Sequence, residues 1–266
     1  MKHPLLILLF LLAAACSAPP PPPEPPVFPA GTVVDLSHAY GDDTVFWPTA
    51  DPFRLESVAD GVTEAGYYYA ANVFFAAEHG GTHVDAPVHF AEGRQAVDEI
   101  PVERLVGPAV VVDVTEASAA DADYLVNVSD FEAWEAEHGE MPSGVILLIR
   151  TGFASRWPDA AAYLGTAERG EDAVADLHFP GVDPAAAEWL VANRSINAIG
   201  IDTASIDYGQ SSLFESHRIL YAANIPGLEN LNALDRLPAT GAHLVALPMK
   251  IAGGSGAPLR VIAIVP

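Results

Sequence analysis

Three histidines and one aspartate fall within eleven residues of the 266-residue chain, in the segment Glu78-His79-Gly80-Gly81-Thr82-His83-Val84-Asp85-Ala86-Pro87-Val88-His89-Phe90. His79, His83, Asp85 and His89 all stand at odd positions. In an extended chain every second side chain points the same way, so one face carries the whole set. A helix would also align His79 with His83, but Gly80, Gly81 and Pro87 oppose a helix. Imidazoles and a carboxylate together suit borderline divalent ions such as Zn²⁺, Mn²⁺ or Fe²⁺, and a carboxylate can bridge two of them. An imidazole left outside the ligand set titrates near neutrality and can serve as a general acid or base. The competing reading is a histidine-rich turn satisfied by hydrogen bonds. It suits a lone histidine better than four groups aligned on one face.

The elements that must hold this segment are short. Residues 33–36, 109–114, 145–149, 198–201, 243–247 and 261–265 are β-branched or aliphatic runs that predict buried strands. The aromatic-rich stretches 53–58 and 67–75 predict two more. Helices are fewer. Ser129 and Glu132 have capping-box spacing ahead of Phe131 and Trp134. Asp183-Pro184 supplies an N-cap and a first-turn proline for a helix over 185–192, and residues 213–223 form a third candidate. Many strands, few helices and no regular alternation predict an α/β fold. It is a single domain with a mixed β-sheet core and flanking helices. No GxGxxG or P-loop occurs, and Gly253-Gly254-Ser255-Gly256 reads as a loop.

Composition narrows the partners. The chain has 35 Asp plus Glu against 12 Lys plus Arg, a formal charge of −23. That balance excludes phosphate-driven nucleic-acid binding and electrostatic docking on anionic lipid. The single cysteine excludes a disulfide framework and a Cys-rich zinc site. Two lysines, Lys2 and Lys250, in so acidic a chain fit a high-salt habitat. The amino-terminal end reads as an address. Residues 5–15 form an apolar run too short to span a bilayer but suited to a secretory signal, and residues 18–29 are dominated by proline, which favours an extended spacer. The domain plan is a signal peptide over 1–15, a tether over 16–30 and a folded domain over 31–266.

Two resemblances follow from these residues. Leu12-Ala13-Ala14-Ala15-Cys16 resembles a bacterial lipobox, with Ala13 where leucine is usual. It implies lipidation of Cys16 and an exported lipoprotein held at the cell envelope, with membrane contact through the lipid anchor only. HGGTHVDAPVHF resembles the HxGTHxDxPxH signature of the metal-dependent cyclase family, which includes bacterial kynurenine formamidases and isatin hydrolases. Phe46-Trp47-Pro48, Ile199-Gly200-Ile201-Asp202-Thr203, Ser216-His217-Arg218, Leu228-Glu229-Asn230-Leu231 and residues 246–251 resemble further family elements. The resemblance runs from about Val33 to Val265. It implies the family's swivelling β/β/α fold and a divalent metal, Zn or Mn, one or two per subunit. His79, His83 and Asp85 are then first-metal ligands, with Asp85 able to bridge. His217 and Glu229 serve the second metal, His89 is the catalytic acid/base and Trp47 lines the substrate pocket. Spacing alone would leave His217 on a helix surface. The implied reaction is hydrolysis of an amide C–N bond in a small aryl amide or cyclic amide by a metal-activated water. The implied assembly is a homodimer or higher homo-oligomer.

The aromatics before the motif are Trp47, Tyr67, Tyr68, Tyr69, Phe74 and Phe75. Aromatic walls suit a planar aryl amide. Trp47, in a polar turn before a proline, is the pocket candidate, whereas Phe74 and Phe75 read as core. A cytosolic role in tryptophan breakdown sits poorly with an export signal. His89-Phe90-Ala91-Glu92-Gly93 and Val97-Asp98-Glu99-Ile100-Pro101 look closer to the isatin-hydrolase branch. A non-catalytic surface lipoprotein binding metal or a small ligand is the alternative. His89 discriminates, because a pure binder needs no acid/base beside its ligands.

Overall fold

A computed structural model describes residues 30–266. The predicted signal peptide, the lipidation of Cys16 and all but the last residue of the tether lie outside the described residues. The strands are β1 (Thr32–Asp35), β2 (Arg54–Val62), β3 (Tyr68–Phe75), β4 (His83–Asp85), β5 (Val106–Asp113), β6 (Leu125–Val126), β7 (Ile146–Arg150), β8 (Gly181–Val182), β9 (Ala198–Ile201), β10 (Gly227–Glu229), β11 (Ala242–Pro248) and β12 (Gly256–Val265). The helices are α1 (Thr115–Ala120), α2 (Val128–His138), α3 (Ala160–Leu164), α4 (Pro184–Asn193) and α5 (Glu215–Ala222).

The main sheet runs β1-β12-β11-β5-β7-β9-β10-β4, and β4 also pairs with β12. That extra pairing closes strands β4 to β12 of the sheet into a ring, with β1 laid beside the far half of β12. Strands β5, β7, β9 and β10 are parallel, and the others join antiparallel. The mixed α/β domain read from the sequence is thus observed.

Alternation along the parallel strands explains why they read as unbroken apolar runs. Val111, Ile146, Leu148, Ala198 and Leu228 face one core with residues from β4, β11 and β12, inside the ring. Val110, Val112, Leu147, Ile149 and Ile201 face a second core against Phe131 and Trp134 of α2, Leu190 of α4 and Leu220 of α5. Asp183 caps α4 by accepting from the Ala185 N–H, as its sequence predicts. The cap of α2 lies two residues earlier than expected. Asn127, not Ser129, is the N-cap, its side chain accepting from the Ser129 N–H while Asp130 accepts from the Asn127 N–H. Both spacings satisfy a capping box, and the earlier one prevails because β6 ends at Val126 and leaves Asn127 extended.

Strands β2 and β3 form a separate two-stranded sheet that pairs with no other strand. Phe74 and Phe75, read as core, are 55% and 47% exposed there. No layer covers either face of the hairpin, so apolar character alone does not bury them. Among the described residues no helix is long and apolar enough to cross a membrane.

Candidate active site

The site begins with a three-residue pairing. In β4 and β10, Glu229 lies opposite His83, Leu228 opposite Val84 and Gly227 opposite Asp85. Strand periodicity turns Val84 and Leu228 into the ring's core and leaves His83, Asp85 and Glu229 together on the other face. Close approach is built into the turn before β4: a Cβ at Gly80 would lie 2.0 Å from the Phe46 ring.

Helix α5 covers this face. His217 and Tyr221 are one helical turn apart and so share a side. His217 Nε2 lies 3.1 Å from Glu229 Oε1 and 3.3 Å from Asp85 Oδ2. Tyr221 donates its hydroxyl to Asp85 Oδ2 at 2.9 Å. A Cβ on Gly227 would meet that hydroxyl at 2.5 Å, so only glycine fits opposite Asp85. Asp85 Oδ1 faces His83 Nε2 at 3.1 Å and His79 Nδ1 at 2.6 Å, and His89 Nε2 is 3.9 Å from Oδ2. The structure therefore gathers His79, His83, Asp85, His89, His217 and Glu229 at one point. His217, which spacing alone would place on a surface, is 3% exposed.

Hydrogen bonding fixes which nitrogens carry protons. His83 Nδ1 lies 2.9 Å from the Gly81 carbonyl, which only accepts, so Nδ1–H donates. His217 Nδ1 lies 2.5 Å from Asp207 Oδ2, and Asp207 also accepts from the backbone N–H groups of Ser216 and His217. When both rings are neutral, as metal ligands must be, the Nε2 lone pairs face carboxylate oxygens. His83 Nε2 is buried without a hydrogen-bond partner, 3.4 Å from Glu229 Oε2. Lone pairs from imidazoles and carboxylates converging in a buried site repel one another unless a positive charge lies between them. The donor set, two imidazole nitrogens and two carboxylates with their outer partners in place, fits a divalent cation.

The protonation preferences report the same demand. Burial pushes the Asp85 carboxyl up, but the imidazoles of His79, His217 and His83 more than offset it and hold it well below its usual range. Burial and the Asp85 charge raise Glu229. Burial disfavours charge on His217, yet Asp207, Asp85 and Glu229 raise it well above the ordinary imidazole value. His89 goes the other way. Burial lowers it to about 4, against the pull of Asp85 and with the push of neighbouring imidazoles. Burial thus favours its neutral form.

The cluster floors a cavity of about 290 Å³ whose walls include Val45, Phe46, Trp47, Phe90 and Phe214. His89 lies flat against His79 at 3.8 Å and edge-on to Phe90 at 4.4 Å, so stacking holds its ring. Trp47 is half-buried and packs against Phe179 and Phe214, each at 6.3 Å. The other aromatics considered for the pocket, Tyr67, Tyr68, Tyr69, Phe74 and Phe75, are exposed on the β2–β3 hairpin and line no part of it.

The family model named "Cyclase" matches residues 34–208. The chain is 39% identical over 209 residues to the isatin hydrolase of Roseibium aggregatum, covering 76% of this chain and 77% of that protein. The chain belongs to the cyclase family. It is also 27% identical over 230 residues to the kynurenine formamidase of Salinibacter ruber, covering 86% and 96%. Among solved structures, isatin hydrolase A from Labrenzia aggregata bound to benzyl benzoate superposes with a TM-score of 0.79 at 35% identity, over 88% of this chain and 93% of that one.

Sequence reading of this cyclase-family chain missed four contributors. Tyr221 carried a signal, its i+4 spacing from His217. Phe90 closed the histidine motif itself. Phe214 reaches the cavity because its backbone is left-handed, φ 48°, at the start of α5, and nothing local announces that. Asp207 reaches His217 through the fold alone.

Proposed function

We propose that this chain is a metal-dependent hydrolase that cleaves the C–N bond of a small aryl or cyclic amide. One observation carries the reading: the Nε2 atoms of His83 and His217 converge with Asp85 and Glu229 beneath an aromatic cavity, with His89 alongside them on its wall. His83, His217, Asp85, Glu229 and, at the rim, His79 would hold one or two divalent ions, with Zn or Mn suited to the donors. A bound divalent ion supplies Lewis acidity and lowers the pKa of water towards about 7. His89, neutral and open to the cavity, takes the proton of the attacking water and returns it to the departing nitrogen. Phe90, Phe214 and Trp47 hold a planar ring against the cluster and keep bulk water from it. Tyr221, held protonated by burial and the nearby carboxylates, keeps Asp85 turned towards the imidazoles.

The names of the relatives supply the substrate candidates, a cyclic amide of the isatin type first and an aryl formamide of the formylkynurenine type second. The test is a panel of isatin, N-formylkynurenine, a simple aryl formamide and an unrelated lactam, run with metal-replete and chelator-treated protein alongside metal analysis. Metal-dependent ring opening or deformylation supports the proposal. No turnover of any panel member by metal-replete protein would leave a binding protein.

Two further parts of the proposal rest on separate grounds. The lipobox supports export and anchoring at the cell envelope through Cys16, checked by lipid labelling of the full chain against its Cys16→Ser variant. The hairpin supports self-association. Tyr67, Tyr68, Tyr69, Phe74, Phe75, Leu55, Val58, Val62 and Val73 are 47–73% exposed. At about 150–250 Å² per whole aromatic side chain, they present on the order of 800 Å² of surface, divided between the two faces of the hairpin. A standard interface buries about 800 Å² per partner, so a second copy of the chain is the occupant proposed.

A further inference from the structure

The third imidazole of the cluster differs from the other two. His83 and His217 are 2–3% exposed and held by packing, whereas the His79 side chain is 24% exposed at the rim. Its ring would be free to turn about a broad, two-fold torsion. What holds it is the glycine-rich loop before β12. Ser255 Oγ lies 2.9 Å from His79 Nε2 and 2.6 Å from Glu78 Oε2, and the Ser255 N–H donates to the same Glu78 oxygen at 3.0 Å. A carboxylate only accepts, so the serine hydroxyl proton points at Glu78. The serine oxygen then accepts from His79, and the histidine proton must be on Nε2. In the neutral ring the Nδ1 lone pair is thereby left facing Asp85 Oδ1 at 2.6 Å.

We infer that Glu78 and Ser255 are positioning residues that fix the tautomer and ring plane of His79 so that Nδ1 serves the metal centre. The inference rests on the metal-centre reading above. The loop is shaped for this task. A Cβ at Gly254 would come within 2.8 Å of Glu78 Oε1, and one at Gly256 within 2.5 Å of His79 Cε1. Glycines on both sides of Ser255 thus let the backbone press against both partners. The loop is pinned in place: Ala86 N–H donates to the Ser255 carbonyl at 2.8 Å, Val97 N–H to the Gly254 carbonyl at 2.9 Å, and Gly253 N–H to Asp98 at 2.9 Å. The three imidazoles then follow one rule. Each has its outer nitrogen tied to a separate acceptor, Gly81 carbonyl, Asp207 or the Ser255–Glu78 pair, and its inner nitrogen turned to Asp85. Because His89 stacks on His79 at 3.8 Å with 17° between planes, the relay also sets the plane of the proposed acid/base.

The test uses Ser255→Ala, Glu78→Ala and the conservative Ser255→Thr. Ring-nitrogen NMR of ¹⁵N-histidine-labelled metal-free protein reads the tautomer, and titration with Zn²⁺ or Mn²⁺ reads affinity. Both alanine variants should lose the Nε2-protonated signature of His79 and weaken metal binding about 10–100-fold, the cost typical of lost outer partners. Ser255→Thr should restore both, and a thermal melt of the metal-free proteins shows that the fold is kept. A wild-type His79 signature in Ser255→Ala overturns the relay whatever the affinity does, and so does wild-type affinity in both alanine variants while His83→Ala loses metal. If His83→Ala also keeps its metal, the metal-centre reading is what fails, and the NMR signature alone decides the relay.

Discussion

Residues 54–75 and 78–90 are neighbours in sequence and opposite in burial. His83 and Asp85 are 2% and 1% exposed, whereas Val62 and Tyr68 are 73% and 64% exposed. Hydropathy would have assigned them the other way round. Strand β4 has only three residues, but β10 and β12 bond it on both edges and α5 lies across its polar face. The hairpin strands are eight and nine residues long and pair only with each other. Burial here follows from what covers a strand. A buried polar cluster is sustained because its members satisfy one another around a place for positive charge. An exposed apolar hairpin is sustained in solution when a partner covers it.

The strongest way to break the buried half of that contrast is Asp85→Ala. Its two oxygens face His79, His83, His217 and Tyr221, so no other single change removes as many partners. Bound metal should fall well below one equivalent and turnover to background. The stabilisation that metal confers, about 2.7 kcal/mol at a hundredfold excess over Kd, should vanish from thermal melts. A variant that keeps a full equivalent of metal removes Asp85 from the centre. His89→Ala separates the ligands from their neighbour. Elemental analysis should find metal retained, while kcat drops about 10²–10⁴-fold, the usual worth of general acid/base help. Near-wild-type turnover would assign the proton transfer to another group.

The exposed half is broken by Phe74→Asp. If a second copy covers the hairpin, a carboxylate on its apolar surface should weaken association by about 2 kcal/mol or more, as for a buried aromatic contact. Sedimentation velocity should then find a smaller species than the wild type forms at the same concentration, with metal content nearly unchanged. A variant that assembles like the wild type places the partner surface elsewhere. The pair of variants also checks independence: sites without shared contacts act additively, so Phe74→Asp should leave metal affinity alone and Asp85→Ala should leave assembly alone.

The buried region was far more legible in the sequence than the hairpin, for a physical reason. His79, His83, Asp85 and His89 stand out by their alternate spacing, and the structure turns His83 and Asp85 to one face as strand alternation requires. The four do not lie on one extended segment: His79 enters from the turn before β4, where Gly81 is left-handed, and His89 from a 3₁₀ turn over Pro87–His89. His217 and Glu229 needed a resemblance, since the pairing of β10 with β4 joins residues more than a hundred positions apart. Asp207 and Ser255 gave no local sign, because an outer partner is defined only once the fold brings it beside a nitrogen. For α2, local rules offered two capping boxes and the end of β6 chose between them. The exposure of Phe74 and Phe75 was misread because alternation and apolarity predict a strand correctly but say nothing of whether a second layer exists.

Salt should separate the two regions by a smaller margin. Among the described residues, four of the chain's 35 acids are buried, namely Asp85, Asp202, Asp207 and Glu229. Exposed acids on a chain of net charge −23 repel one another. Raising NaCl from about 0.1 M to about 1 M shortens the screening length from about 10 Å to about 3 Å. That relieves the repulsion and lets two acidic copies approach through the hairpin. The proposed dimer should tighten and the melting temperature rise by about 2–4 °C, the equivalent of roughly 1 kcal/mol for a chain of this size. His83, Asp85, His217 and Glu229 are buried and so are screened less than exposed charges; their metal affinity, measured in the same titration at both salt concentrations, should change far less than dimer affinity. A metal affinity that falls in step with salt would mean that the exposed acids, and not the buried set, draw the cation in.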